Sequence, residues 1–540
     1  GLGIAAVRDI ISYAKYDEQN LFPVEHAIAT GVSQSGRFLR NFLFQGFNRD
    51  EEGRKIYDGM MIVAAGAGRG SFNHRFAQPS RDGHRYSAFF YPTDIFPFAS
   101  QTQPDIEGGG ADGLLYHLEP KYHPRTFYIN TGYEYWGRAA SLIHTTPDGM
   151  KDLPPMPHER IFHLASAQHY VDRFPPQGET PPYVGNPLFF NANVRALAVA
   201  LDDWVRNDEA PPTSAFPKIS DVTLVEVSSL TYPAIPEFTP SEVVQTAHQA
   251  DYGAKWAKKG IITNQPPLLG ASYGVKVPQV DAFGNEVAGV RNIELLVPLA
   301  TYIPYSLRTG LEGSPEELRD FKGTYIPFPK SEESNDPRPA IKTLYSNKKS
   351  YLGKVRQAVD SLVAERLVLP EDVHSLMQRA SKYWNWILGE DVKTSEQVKV
   401  LSFNIRYDNP GDGEDQWSNR KDRAIQLVDS LDLDFFGLQE ALLHQVNDMQ
   451  RGVKGYRWIG VGREDGIEKG EFAPLFYDRK KWKLEDEGHF WLSQTPSSPS
   501  TGWDAALPRI ATWGRFSQKG MDKTLYVFNT HFDHRGEQAR

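Results

Sequence analysis

Ser33 stands in Gly31-Val32-Ser33-Gln34-Ser35-Gly36, between an apolar run from His26 to Ser33 that reads as a buried strand and GRFLRNFLF, which reads as a helix. A serine on a sharp strand-to-helix turn has its hydroxyl lifted clear of the sheet edge, and small neighbours keep that turn free of clashes. The helix N-terminus behind it favours developing negative charge. The usual spacing is Gly-x-Ser-x-Gly; here Ser35 replaces the second glycine and Gly36 follows one position later. Such a serine needs a base, and the base needs an acid to orient it. Glu134, in TGYEYWGRAAS, comes 101 residues after Ser33, and His169, in FHLASAQHY, a further 35 residues on. Both follow predicted strands, where a sheet-edge site would collect them. Asp148 and Asp172 compete for the acid, and His158 and His163 for the base. Glu134 reads equally as a surface carboxylate in an ion pair, and His169 as a loop histidine with satisfied hydrogen bonds.

A second constellation has different chemistry. LSFNIRYD ends a predicted strand at Asn404, DFFGLQE ends the next at Glu440, and NTHFDHRG brings His531 and Asp533 to a third strand end. An amide and a carboxylate on one sheet edge suit a hard divalent cation that retains several waters. An imidazolium beside them would hydrogen-bond a phosphoryl oxygen, and metal plus histidine is a common arrangement for phosphate-ester hydrolysis.

Other patterns exclude more than they include. The chain has no cysteine, so disulfides, thiolate nucleophiles and Cys-ligated metals are ruled out. The Gly66–Gly70 run GAGRG lacks the spacing of a phosphate loop and the acidic residue about 20 positions on, and reads as a structural loop. His117, His123 and His144 lack zinc-ligand spacing. No apolar run approaches the ~18 residues of a membrane helix, so no membrane span is expected. Net charge is −9, from 59 Lys+Arg against 68 Asp+Glu, without a basic block. Residues 401–540 carry 19 Lys+Arg and 22 Asp+Glu, a net −3. A nucleic-acid enzyme gains affinity by neutralising phosphates, so the second constellation is expected to take a small phosphoester, with nucleic acid the less favoured partner.

At 540 residues, 40% hydrophobic, 12% aromatic and 24% charged, the chain has the profile of a globular protein with about three domains or two large ones. Residues 1–16 carry Ile4, Val7, Ile11 and Ala14 on one helical face. The runs MMIVAAGAG and RTFYINTG then alternate with helical patterns, as in a parallel sheet covered on both faces. From about 211 to 350 proline is frequent and short strand-like pieces, VTLVEV and NIELLVPLATY, suggest a β-rich extension over the site. Residues 353–380 return to helix, with Pro370 at a helix start. The expected organisation is a first domain over 1–385, a linker over 386–396 and a second domain over 397–540. In the latter, VKVLSFNIR, LDFFGLQE and TLYVFNTHF read as strands and DRAIQLVDSLD as a helix.

The blocks GVSQSGRFLRNFLFQGFN, AAGAGRGSFNHRFAQPSR, YEYWGRAASLIHTTPDG and DAFGNEVAGVRNIELLVPLATY resemble a large bacterial α/β-hydrolase-domain family of esterases over roughly residues 1–380. The resemblance implies Ser33 as nucleophile, His169 as base, Glu134 as orienting acid, and the Gln34 N–H as one oxyanion donor, with no cofactor. Over about 397–540, FNIRYDNPGDG, WSNRKDR, FFGLQEALLHQ, YRWIGVGREDG, GEFAPLFYDRKKW, WDAALPRIATW and FNTHFDHRGEQAR resemble the endonuclease/exonuclease/phosphatase superfamily, with its DNase I-like two-layer α/β sandwich. That resemblance implies Glu440 as a ligand of Mg²⁺ (or Mn²⁺), Asn404 as a metal-shell or phosphate contact and His531 as a phosphate contact. Glu471 and Arg509 are further site candidates there.

Measured against both families the sequence is expected to be a fragment, with the first strands and second oxyanion donor before Gly1 and the Asp-x-Asn and Asp-His segments after Arg540. Both families are often exported, which favours a periplasmic or secreted location. The expected function is a two-module hydrolase of small-molecule ester and phosphoester substrates. The alternative is a catalytically silent hydrolase-fold binding module attached to a metal-dependent phosphodiesterase or nuclease.

Overall fold

The computed structural model describes residues 2–21, 23–70, 72, 94–106, 110–176, 183–256, 261–308, 316–332, 335–389, 398–519 and 524–539. The chain divides into two compact units, Gly1–Asp391 and Val392–Arg540. Most of the expected linker lies outside the described residues, as does part of the AAGAGRGSFNHRFAQPSR block.

In the first unit, four parallel strands form the central sheet in the order β1 (Ile28–Val32), β2 (Gly59–Val63), β3 (Arg125–Thr131) and β4 (Glu159–Leu164). Their registers run Ile28↔Gly59, Gly59↔Arg125 and Thr126↔Glu159. The strands are apolar almost throughout because both faces are covered. On one face Met61, Val63, Phe127, Ile129, Phe162 and Leu164 pack with Leu197, Ala200, Leu201 and Trp204 of a long helix, Asn191–Asn207. On the other, Met60, Ile62, Tyr128 and Ile161 pack with Leu39, Phe42 and Leu43 of the helix Gln34–Phe44. This doubly covered parallel sheet is the α/β architecture the alternating pattern predicts.

The predicted N-terminal helix spans Leu2–Tyr16 with Ile4 buried. Between 211 and 350 the strands are short pieces such as Leu224–Val225, Ala300–Ile303 and Thr324–Pro327. Of NIELLVPLATY, Ile293–Leu296 makes a helical turn and only Ala300–Ile303 a strand. Two helices, Lys348–Ala364 and Val373–Leu388, close the unit, and Pro370 opens the single 3-10 turn between them. Among the described residues no helix is long and apolar enough to cross a membrane.

Glu159, at the start of β4, is buried, and Met156 N–H donates to its Oε2 at 3.3 Å. Burial pushes its carboxyl up to about 7, against the opposing pull of Ser100, Met156 and Arg40. A carboxyl whose folded pKa lies above the unfolded value contributes stability that is complete below the unfolded pKa and is lost as pH rises to the folded one. Wild type should therefore weaken between pH 5 and 8 relative to Glu159→Gln, which stays neutral, by about 2–3 kcal/mol. Denaturation midpoints of both proteins at the two pH values check this; a gap that does not change with pH would contradict it.

In the second unit, one sheet has the order β5 (Val400–Asn404), β6 (Phe435–Gln439), β8 (Leu475–Asp478) and β7 (Tyr456–Ile459). A second is a meander of β9 (Trp482–Trp491), β10 (Ile510–Gln518) and β11 (Thr524–Thr530). Phe435, Leu475, Tyr477, Trp482 and Phe516 interdigitate between the sheets. Helices Trp417–Ser430 and Leu443–Gly452 bury Ala424, Val428, Val446 and Met449 with Phe436 and Phe476 of the first sheet. Asn529 ties the layers together: its amide donates to the carbonyls of Leu438 and Pro474, each at 2.9 Å, and its oxygen accepts from Gln439 Nε2 at 2.8 Å.

Candidate functional site

Ser33 sits between β1 and the helix Gln34–Phe44 with φ 56° and ψ −115°, a left-handed-side conformation that a non-glycine residue holds only under constraint. The constraints are visible. Ser33 N–H donates to the Val63 carbonyl of the neighbouring strand at 2.8 Å. A Cβ on Gly31 would lie 2.5 Å from the Ser35 carbonyl oxygen, so position 31 admits only glycine. Ser35 is no mere small substitute: its hydroxyl accepts from Val32 N–H at 2.9 Å and donates to the Val32 carbonyl at 2.8 Å, pinning the residue before the serine. The close approach to the next strand is made by Gly36, whose Cβ would lie 3.1 Å from Ala65 Cβ and from the Gly31 and Val63 carbonyls. The turn is therefore a Gly-x-Ser-x-x-Gly elbow. Gln34 opens the helix, so its N–H lies among the groups that have no intrahelical acceptor.

Glu134 is fully buried at the third position of the short helix Gly132–Gly137, which follows β3 directly. Thr131-x-x-Glu134 is a capping box, in which a carboxylate reaches back to the residue preceding the helix. Thr131 N–H and Oγ1 both donate to Glu134 Oε2, at 2.8 and 2.5 Å. That leaves Oε1, which accepts from His169 Nδ1 at 2.5 Å. His169 Nε2 lies 3.0 Å from Ser33 Oγ. With Nδ1–H held by the carboxylate, Nε2 is the acceptor for the serine hydroxyl. The three side chains come from the ends of β1, β3 and β4. Phe321 packs against the His169 ring at 4.5 Å, and Tyr133 meets it edge-on at 5.8 Å. Burial pushes the Tyr133 phenol up to about 12, so it stays neutral.

The competing candidates are engaged elsewhere. Asp148 accepts from Thr146 Oγ1 and Met150 N–H, and Asp172 from Lys322 Nζ at 2.8 Å. The His158 ring packs at a tilt against His123, with centroids 4.9 Å apart, and burial pushes its imidazole down to about 4. His163 is fully buried, with Nε2 2.8 Å from Glu286 Oε2, a carboxylate that the spacing argument passed over. The Gly66–Gly70 loop presents carbonyls to protein: Arg40 donates to those of Ala67 and Gly68 at 3.0 and 2.9 Å.

In the second unit the parallel register Asn404↔Gln439 sets Asn404 beside Glu440. Asn404 Nδ2 donates to Glu440 Oε1 at 3.0 Å, Tyr407 N–H donates to Oε2 at 3.4 Å, and Arg406 N–H to Asn404 Oδ1 at 2.9 Å. Glu440 itself has φ 61°. In the loop between β7 and β8 of the same sheet, Arg463 pairs bidentately with Glu471 at 2.7 and 3.1 Å, and Glu471 Oε2 lies 4.0 Å from Nδ1 of His531, which follows β11 of the other sheet. Arg509 Nη1 lies 3.4 Å from the same His531 Nδ1 and its Nη2 3.1 Å from Asp533. Arg463, Glu471, Arg509 and His531 line one small cleft. Since a guanidinium only donates, His531 Nδ1 accepts and the ring hydrogen stays on Nε2. Burial, reinforced by Arg509, lowers the His531 pKa, which makes the ring a neutral donor rather than the expected imidazolium.

Asp533 is occupied by the fold. Its oxygens accept from Arg509, from the Ala506, Arg535 and Gly536 N–H groups, and its carboxyl lies well below the usual range through those backbone bonds first. Asp533 is thus a loop staple, and its contribution to the cleft is to orient Arg509. Among the described residues no group of three or more His, Asp or Glu side chains is disposed to hold a metal ion. Glu440 and the Asn404 amide oxygen fit an ion that takes one or two protein oxygens and keeps water for the rest.

A family model described as "Alpha/beta hydrolase domain" matches residues 4–378. An uncharacterised protein of Acanthamoeba polyphaga mimivirus is 30% identical over 125 residues, 22% of this chain and 47% of that protein. Among solved structures, a Bacteroides thetaiotaomicron mannosyl-6-phosphatase is 45% identical, covering 26% of this chain and 54% of its own, with a TM-score of 0.26. An endonuclease/exonuclease/phosphatase from Bacteroides vulgatus is 48% identical, covering 26% and 55%, also with a TM-score of 0.26. The chain spans about half the length of the curated relative and of these solved structures.

Proposed function

From the fact that the chain belongs to the alpha/beta hydrolase domain family over residues 4–378, we propose that its first unit is a serine carboxylic-ester hydrolase working through an acyl-enzyme. The observation that carries this reading is the continuous relay from Ser33 Oγ through His169 to Glu134 Oε1, with separations of 3.0 and 2.5 Å. Ser33 Oγ attacks the ester carbonyl as His169 Nε2 takes its proton. Glu134 holds the imidazole in the tautomer that can accept and stabilises the imidazolium that forms. The Gln34 N–H, at the helix N-terminus, faces the developing oxyanion. His169 then protonates the departing alcohol, and a water deprotonated by the same ring releases the acid. Phe321 and Tyr133 give the site an aromatic wall beside His169.

A common acyl-enzyme has a distinctive test. The aryl and alkyl esters of one acid, hydrolysed in the presence of methanol, should give the same ratio of methyl ester to free acid. A ratio that changes with the leaving alcohol would show that no common intermediate forms.

For the second unit we propose a metal-assisted phosphoesterase acting on a small phosphoester. Glu440 with Asn404 would hold Mg²⁺, which supplies Lewis acidity toward a phosphoryl oxygen. The neutral His531 donates from Nε2 to a phosphoryl oxygen, and Arg509, fixed by Asp533, keeps that tautomer. Arg463 keeps Glu471 engaged beside them. The net −3 of residues 401–540 favours a small substrate over a polyanion. Hydrolysis of a sugar phosphate without nicking of plasmid DNA in the same Mg²⁺ buffer is the expected result, and nicking alone would make the unit a nuclease.

A further inference from the structure

We propose that Glu286, buried behind the triad with His163, is a positioning residue that sets the geometry of His169 and Glu134 together; the inference rests on the esterase reading of the first unit. Glu286 and His163 are both essentially inaccessible to solvent, and His163 Nε2 lies 2.8 Å from Glu286 Oε2. Burying polar side chains is costly unless hydrogen bonds compensate them, and such a pair is often no more stabilising than well-packed apolar side chains. What distinguishes this pair is where it is attached. Glu286 Oε2 also accepts from Ser166 N–H, and Glu286 N–H donates to Ser166 Oγ at 2.8 Å. Ser166 has φ 56°, a strained non-glycine conformation held by two-point attachment to one residue. It lies three residues before His169, in the turn that leaves β4.

The same carboxylate abuts the other arm of the relay. A Cβ on Gly132 would come within 2.9 Å of both Glu286 oxygens, so Gly132 is in direct contact with them. Gly132 opens the helix that carries Glu134 two residues later. The two arms are also joined to each other, since Tyr133 N–H donates to the Ala167 carbonyl at 3.1 Å. One buried carboxylate thus fixes the two backbone segments whose separation decides whether Glu134 and His169 meet. A shift of about 1 Å in such a pair costs about 10²-fold in rate.

The test is active-site titration of the full chain with a fluorophosphonate, followed by p-nitrophenyl acetate turnover per titrated site. Glu286→Gln, which keeps size and one acceptor but not the charge, is expected to lower kcat per site by about 10²-fold with KM within about threefold. A residue that merely supports folding would reduce the number of titratable sites and leave turnover per site unchanged, and that result overturns the proposal. Should Glu286→Gln fail to fold, Ser166→Ala decides: it removes one anchor only, and about a tenfold fall in kcat per site is expected. Unchanged turnover in a folded Ser166→Ala protein overturns the proposal in that case. Labelling of wild type that persists in Ser33→Ala overturns the triad reading and this inference with it, whereas labelling lost in Ser33→Ala with full turnover in Glu286→Gln overturns the positioning role alone.

Discussion

Replacing Ser33 with alanine is expected to lower ester turnover by about 10⁴–10⁶-fold while leaving the fold in place. The size of the effect follows from the arrangement: removing Oγ leaves His169 and Glu134 as a base and its orienter with nothing to activate but water. The residual rate would come from the Gln34 N–H and from substrate binding. The fold should survive because Ser33 makes its architectural contacts through the backbone. Its N–H donates to Val63 and its carbonyl accepts from Arg37 N–H at 3.0 Å, and alanine retains both. Initial rates on p-nitrophenyl butyrate, normalised to folded protein, check this. A loss smaller than about tenfold would mean that Ser33 is not the nucleophile.

Glu440→Gln is expected to have the second-largest effect, about 10³-fold on phosphoester turnover, with a higher Mg²⁺ requirement for half-maximal rate. Several kcal/mol of metal-assisted charge stabilisation correspond to that factor. Glutamine keeps the side-chain length at this left-handed position, φ 61°, and an oxygen for Asn404 Nδ2 or the Tyr407 N–H. What it loses is the negative charge, the only one among the paired Asn404 and Glu440 donors. Rates measured across a Mg²⁺ titration separate weaker ion binding from slower chemistry. Unchanged rate and unchanged Mg²⁺ dependence would remove Glu440 from the metal site.

The parts of this arrangement that were legible in the sequence are those that local rules encode. The strands Gly59–Val63 and Arg125–Thr131 stood out because a parallel strand covered on both faces is apolar along its whole length. The capping box Thr131-Gly132-Tyr133-Glu134 went unread in the sequence, and only the geometry shows that the cap uses one carboxylate oxygen and leaves the other for His169. The long strand Trp482–Trp491 was not legible: WKLEDEGHFW is charged and largely solvent-exposed, without the apolar run that marks a covered strand. Glu286 was invisible because its partner His163 lies 123 residues away, and no spacing rule reaches that far. Ser35 looked like a defect in a motif until its hydroxyl was seen to pin Val32, with Gly36 making the close approach instead. The silent-module alternative drew on that apparent defect, and the geometry of the elbow removes this ground for it.

The central claim is that Ser33 is an activated nucleophile, and the most direct measurement is intact-mass and peptide analysis of the full chain after brief exposure to a fluorophosphonate. The account predicts one adduct per chain, on the peptide that contains Ser33, slowed by competing ester substrate and lost in His169→Ala. A chain that takes up no adduct, or takes it at another residue, would contradict it.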